Sequence, residues 1–263
     1  MKDVLDEIVA WKRIEVQQQK YDLPAKELYA IVERKMADGI TPRSMRESLA
    51  SSPYGIIAEF KRKSPSKGWI KEEGRPDVIP VSYAQNGASA LSILTDEKYF
   101  GGSMKFVEIA RPTVELPILR KDFIVDEYQL FQARRIQADA VLLIAACLTK
   151  DEVRSLTATA HDLQLEVLLE LHNERELDYC DLDVDMIGIN NRDLGTFHTD
   201  VQHSFDIAER LPKEALKVSE SGIGNPLTIR SLRKAGFRGF LMGEHFMKAA
   251  NPGAALKEFI LEI

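Results

Sequence analysis

Residues 138–172 read ADAVLLIAACLTKDEVRSLTATAHDLQLEVLLELH, and the order of patterns in this stretch decides the fold. A short apolar run, 140–145, is followed by an amphipathic stretch of helical period, 150–163, and then by a second apolar run, 165–171. Runs this short and this apolar suit strands buried on both faces. Two such strands joined by a helix lie parallel, with a right-handed crossover. The same alternation continues in both directions. The further strand candidates are 56–60, 88–94, 117–121, 186–190, 216–219 and 239–242, and the stretches 128–137, 201–211 and 226–235 suit helices between them. That makes eight β-α units, at roughly 26 residues per unit. A count of eight favours closure over an open sheet, and no G-x-G-x-x-G follows any strand. The expectation is an α/β chain forming a single (β/α)8 TIM barrel over residues 1–263.

The first 50 residues carry no strand signal and read as a helical N-terminal extension. Leu5, Ile8, Val9 and Ile14 fall near helical spacing. Pro24 opens a second segment with Leu28, Ile31, Val32 and Met36 on one face and Gly39 as a stop, and Pro42 is expected to open a third through Leu49. The extension is expected to pack against the barrel, with part of it near the active-site mouth.

Composition narrows the function. With 44% hydrophobic and 29% charged residues the chain can build a sizeable core and a charged surface. A net charge of −6 argues against broad nucleic-acid binding. No apolar run approaches the ~18 residues of a membrane span, and the amphipathic start MKDVLDEIVAWKR lacks the features of a signal peptide. The two cysteines, Cys147 and Cys180, have no metal or redox spacing and are expected to be reduced thiols. The five histidines show no ligand spacing, so no metal site is expected. A cytoplasmic location follows as the expectation.

In barrels of this kind the chemistry sits at the C-terminal strand ends, and period-two alternation decides which side chains face the axis. In IIAEFKRKSPSKG, Glu59 and Lys61 share the inward parity, with Ala58 and Phe60 outward. The basic run that follows, around Ser64, Pro65 and Ser66, reads equally as a solvated loop or as an anion holder. Lys121 in PILRKDF faces inward with Leu119, and Arg120 faces outward. Glu170 ends strand 5 with His172 just beyond. Asn190 and Arg192 share one parity in GINNRDL, and Glu220 points inward before the Ser221-Gly222 turn. Strand 4 offers no charged end. Mutual proximity of these lysines and glutamates would separate their pKa values into acids and bases. Ser221-Gly222-Ile223-Gly224 and Gly243, leading into a short helix of Glu244 to Met247, fall after strands 7 and 8, where barrels commonly hold phosphate.

These residues resemble the indole-3-glycerol-phosphate synthase family. The matching segments run in order over 56–247: IIAEFKRKSPSKG, SILTDEKYFGGS, PILRKDFIVDEYQ, ADAVLLIAACL, GINNRDLGTF, VSESGI and FLMGEHFM. The resemblance implies a phosphosugar substrate, 1-(2-carboxyphenylamino)-1-deoxyribulose 5-phosphate. Ring closure would yield indole-3-glycerol phosphate, carbon dioxide and water in tryptophan biosynthesis, with no cofactor. It implies Lys121 as principal general acid, Glu170 as its carboxylate partner, Lys61 as second acid and Glu59 as base in dehydration. Asn190, Arg192 and Glu220 match further active-site positions. Ser64, Pro65, Ser66, Phe123, Ser221, Gly222, Gly243 and Glu244 match the substrate-binding set. Glu244 stands where some relatives have serine, so its carboxylate must point away from a phosphate. Partners beyond the substrate would be transient contacts with other enzymes of that pathway. A rival isomerase of the same pathway would want a cysteine/aspartate pair, and Cys147 has no evident aspartate partner. A non-catalytic barrel would be expected to lack the charged strand ends.

Overall fold

The computed structural model describes residues 4–193 and 195–263. Eight parallel strands close on themselves: β1 (Ile56–Phe60), β2 (Ala90–Leu94), β3 (Ile118–Lys121), β4 (Ala140–Ile144), β5 (Glu166–Leu171), β6 (Met186–Asn190), β7 (Leu216–Glu220) and β8 (Phe237–Met242). Each pairs with its sequence neighbours, and β1 completes the ring by pairing with both β2 and β8. All eight expected strands are present, and their ends differ from expectation by two residues at most. The helices Tyr128–Arg135, Lys150–Asp162, Gln202–Ala208 and Pro226–Lys234 occupy the expected stretches.

Alternation sorts the core into two layers. Ile57, Ala90, Leu119, Ala140, Leu142, Ile144, Leu168, Met186, Leu216, Val218 and Leu241 fill the barrel interior. The residues of opposite parity, such as Val141, Leu143, Val167 and Leu169, pack outward against the helices. Most strand positions are therefore apolar on both faces, with exceptions such as Ser92, Glu166, Lys217 and Arg238.

The extension forms three helices, α1 (Val4–Asp22), α2 (Ala25–Ala37) and α3 (Met45–Ser51). Two expectations need correction. The buried face of α1 is Leu5, Ile8, Lys12 and Val16, while Ile14 is 61% exposed. A lysine occupies a core position that an apolar count overlooks. The third helix begins at Met45 rather than near Pro42, because Ser44 caps it by accepting from the Glu47 amide.

Unlike α1, α3 lies at the N-terminal floor of the barrel. Met45 and Leu49 are fully buried and join the interior cluster, closing the end opposite the charged strand ends. Two strand-start carboxylates hold this plug. Glu166 accepts from Ser44 Oγ at 2.5 Å and from the Met45 and Arg46 amides at 2.7 and 2.8 Å. Asp139 accepts from the Arg43 amide at 2.7 Å, the Ile118 amide at 2.7 Å and Arg111 Nη1 at 2.6 Å. The basic loop after β1 also departs from expectation. It turns back as a two-residue antiparallel ribbon, Lys63–Ser64 against Gly68–Trp69.

Since α3 plugs the floor, Leu49→Ala should cost about 2–5 kcal/mol, as other buried leucine truncations do. The Michaelis constant should stay within about two-fold, because the cavity lies at the opposite end. Urea denaturation and steady-state kinetics on one sample check both. A stability change near zero rules out the plug.

Candidate active site

The C-terminal strand ends surround a cavity of about 910 Å³. Glu59, Lys61, Lys121, Glu170, Asn190 and Glu220 line it from the strand ends, all from the inward parity. Ser64, Pro65 and Ser66 line it from the ribbon, Phe123 and Arg192 from the loops after β3 and β6, and Ser221, Gly222, Gly243 and Glu244 from those after β7 and β8. Every residue singled out from the sequence reaches this one cavity.

At its centre Lys121 Nζ donates to Glu170 Oε2 at 2.9 Å and to Glu220 Oε2 at 2.7 Å. Lys61 Nζ donates to Glu59 Oε1 at 2.5 Å. Glu59, Glu170 and Glu220 are each at least 96% buried, each with an ammonium group beside it. Two glycines provide the space. A Cβ on Gly188 would stand 2.3 Å from Glu220 Oε1, and one on Gly243 would stand 2.3 Å from Glu59 Oε1.

The three charges of the central group shift one another. Burial lowers the Lys121 pKa, but Glu170, Glu220 and Glu59 outweigh it and hold the ammonium above its ordinary value. Burial raises Glu170, but Lys121 and His172 draw it well below the usual carboxylate range. Burial pushes Glu220 up, the Glu170 charge adds to this, and Lys121 only partly opposes it. Two neighbouring carboxylates are thus pushed apart: one is held ionised, the other holds a proton more readily. His172 Nε2 stands 3.1 Å from Glu170 Oε1. Burial disfavours its cation, yet Glu170 and then Glu176 raise its pKa overall.

Around the edge, Arg192 Nη1 donates to Ser66 Oγ at 3.1 Å, and Nη2 lies 3.7 Å from Glu244 Oε2. Glu244 also pairs with Lys248, so its carboxylate is engaged along its own helix. Ser221 adopts a left-handed φ of 69°, at a cost of about 1–3 kcal/mol for a non-glycine residue. Gly222 follows with φ 76°. The basic run is divided in use. Arg62 and Lys63 lie over the Trp69 ring at 5.3 and 5.6 Å, while Lys67 lines the cavity. Ser64 Oγ is buried there without a side-chain or backbone partner.

The site list from the sequence omitted His172 and an apolar wall of Leu5, Ile8, Phe100, Leu142 and Ile144. His172 shares the parity of Glu170, and Leu142 and Ile144 share the inward parity of β4, so their signal was present. For Leu5, Ile8 and Phe100 only tertiary placement brings them in. Among the described residues, no group of three or more His, Cys, Asp or Glu side chains is arranged to hold a metal ion. No helix among them is long and apolar enough to cross a membrane.

Comparison with known proteins follows the same line. A family model described as indole-3-glycerol phosphate synthase matches residues 5–259. Proteins named indole-3-glycerol phosphate synthase are similar over essentially their whole length. The one from Bacteroides thetaiotaomicron is 57% identical over 263 residues, covering all of both chains. The one from Acidithiobacillus ferrooxidans is 42% identical, again over all of both chains. The one from Burkholderia vietnamiensis is 43% identical over 97% of this chain and 98% of its own. A solved 3-hexulose-6-phosphate synthase shares the fold, with TM-score 0.63 over 80% of this chain and 99% of its own, at 14% identity.

The electrostatics give a direct test. Carbon-13 NMR of labelled glutamate carboxyls should show Glu220 titrating above the ordinary glutamate range and Glu170 below it. In Lys121→Met, Glu170 should move up, because Lys121 is its largest stabilising neighbour. An unmoved Glu170 would show that the ion pair does not control it.

Proposed function

This chain belongs to the indole-3-glycerol phosphate synthase family, and we propose how its residues divide the reaction between them. The enzyme is a decarboxylating lyase. It converts 1-(2-carboxyphenylamino)-1-deoxyribulose 5-phosphate to indole-3-glycerol phosphate, carbon dioxide and water, in tryptophan biosynthesis.

The carboxylate-bearing ring carbon attacks the ribulose carbonyl, and Lys121 protonates the carbonyl oxygen as the new carbon–carbon bond forms. Carbon dioxide then leaves, returning its bonding electrons to the ring. The new hydroxyl departs as water with a proton from Lys61, and Glu59 removes the adjacent ring-carbon proton. Glu170 keeps Lys121 charged and oriented, and Glu220 orients it from the other side. Two ammonium–carboxylate pairs therefore supply two acids and a base, which is what closure followed by dehydration demands. The observation that carries this reading is Lys121 Nζ held between Glu170 and Glu220 within the cavity.

Substrate binding follows the edges. Phe123, Phe100, Leu142 and Ile144 offer an apolar wall for the anthranilate ring. Lys61, Ser64, Pro65 and Ser66 face its carboxylate, and Asn190 and Arg192 face the ribulose hydroxyls. Amides of the Ser221-Gly222 and Gly243-Glu244 turns hold the phosphate, with the Glu244 carboxylate turned aside to Lys248. We read the chain as one barrel domain over 1–263, with 1–50 its helical extension. It works in the cytoplasm and makes transient contact with other enzymes of the pathway.

Lys121→Ala should lower turnover by about 10²- to 10⁴-fold, the range for a lost general acid, while circular dichroism stays parental. Lys121→Arg should recover little, since a guanidinium is a far weaker acid. Turnover within a few-fold of the parent, followed by indole fluorescence, would remove Lys121 from the role. Sulfate soaked into crystals should settle between Ser221-Gly222 and the Gly243 turn. A stronger anion site elsewhere, with this one empty, counts against the phosphate assignment.

A further inference from the structure

Lys12 is the most buried charged residue of α1, 2% exposed, and the chemistry above makes no use of it. Its Nζ lies 2.6 Å from Glu15 Oε2, 2.9 Å from Asp96 Oδ2 and 2.9 Å from Asp122 Oδ1. Both aspartates hold segments that shape the cavity. Asp96, just past β2, caps a short helix by accepting from the Tyr99 and Phe100 amides at 2.8 and 3.2 Å. That turn sets Phe100 on the cavity wall, 6.0 Å from the ring of Phe123. Asp122 follows Lys121 directly. Its Oδ1 accepts from the Phe123 amide at 2.9 Å, and its Oδ2 from Thr95 Oγ1 at 2.5 Å and Arg120 Nη2 at 3.0 Å. The Thr95 amide in turn donates to the Lys121 carbonyl at 3.0 Å.

One ammonium from the extension therefore touches both the turn that carries Phe100 and the residue between Lys121 and Phe123. The same helix carries Leu5 and Ile8 to the cavity wall. Without Lys12, Asp122 Oδ1 keeps only the Phe123 amide among these partners, and three buried or half-buried carboxylates lose their shared ammonium, Asp122 alone keeping a guanidinium, that of Arg120. A buried charge that loses its partner is strongly destabilised where it stands, which favours a shift of the segment that carries it. Movement at Asp122 passes straight into the backbone of Lys121 and Phe123.

We propose that Lys12 is a positioning residue for the ring closure: it ties α1 to the ends of β2 and β3 and thereby sets Lys121, Phe123 and Phe100 around the substrate. The inference rests on Lys121 being the acid. A misplacement near 1 Å at a reacting group costs up to about 100-fold in rate. A cluster that served stability alone would lower the melting temperature and leave the kinetics of the folded enzyme untouched.

The test is Lys12→Met, assayed per folded molecule well below its melting temperature. The rate constant kcat should fall at least about 10-fold, and KM should rise several-fold. The double variant Lys12→Met/Asp96→Asn removes one stranded charge and keeps a side-chain oxygen for the cap. It should regain much of the lost melting temperature without regaining kcat, because Asp122 still lacks its ammonium. It also carries the test if the single variant does not fold. Parental kcat and KM in either folded variant overturn the inference. Lys121→Ala in the same assay separates the two claims. If Lys121→Ala is inactive while Lys12→Met is parental, only the positioning role fails. If Lys121→Ala keeps near-parental turnover, the assignment of Lys121 fails and the inference falls with it.

Discussion

A sheet closed into an eight-stranded ring packs its inward side chains chiefly against one another. Along most of each strand those are Ile57, Leu119, Leu142, Leu168 and Val218, which fill the interior. At the C-terminal ends the same parity delivers Glu59, Lys121, Glu170, Asn190 and Glu220. The three glutamates gathered there are almost fully buried. They are stable because cations stand between carboxylates, Lys121 between Glu170 and Glu220 and Lys61 against Glu59. The contacts that balance these charges also hold in place the groups proposed as acids and base. Gly188 and Gly243 belong to that arrangement, since each leaves room for a carboxylate that a methyl group would displace.

The extension is divided between the two ends of the barrel, and buried carboxylates fix both attachments. At the floor, Asp139 and Glu166 capture residues 43–46 through backbone amides and a serine hydroxyl. At the mouth, Asp96 and Asp122 hold Lys12. Arg120 shows why outward parity is not always inert. It points away from the axis into the layer between strands and helices, yet it supports Asp122 through a salt bridge and packs against Gln129 and Gln132. Lys121 next to it is steadied from behind the strand as well as from within the cavity.

The sequence by itself determined the alternation of strand and helix, the closure at eight, and which strand-end residues face inward, because each depends on local periodicity. It also carried the family resemblance, on motifs that span β1 to β8. Tertiary structure alone decided the rest. Ile14 has the hydrophobicity of a core residue but lies on the solvent side of α1, while Lys12, polar by composition, is buried. Helical spacing within α1 puts position 12 on the face of Leu5, Ile8 and Val16 and leaves 14 off it, but the aspartates that join Glu15 in making a lysine acceptable there, Asp96 and Asp122, lie more than 80 residues away. The same holds for α3, whose plugging of the floor depends on Asp139 and Glu166, and for Phe100, which meets Phe123 only when the barrel closes. Periodicity assigns a side chain to a face; whether a charge can occupy that face depends on partners that only the folded chain brings within reach.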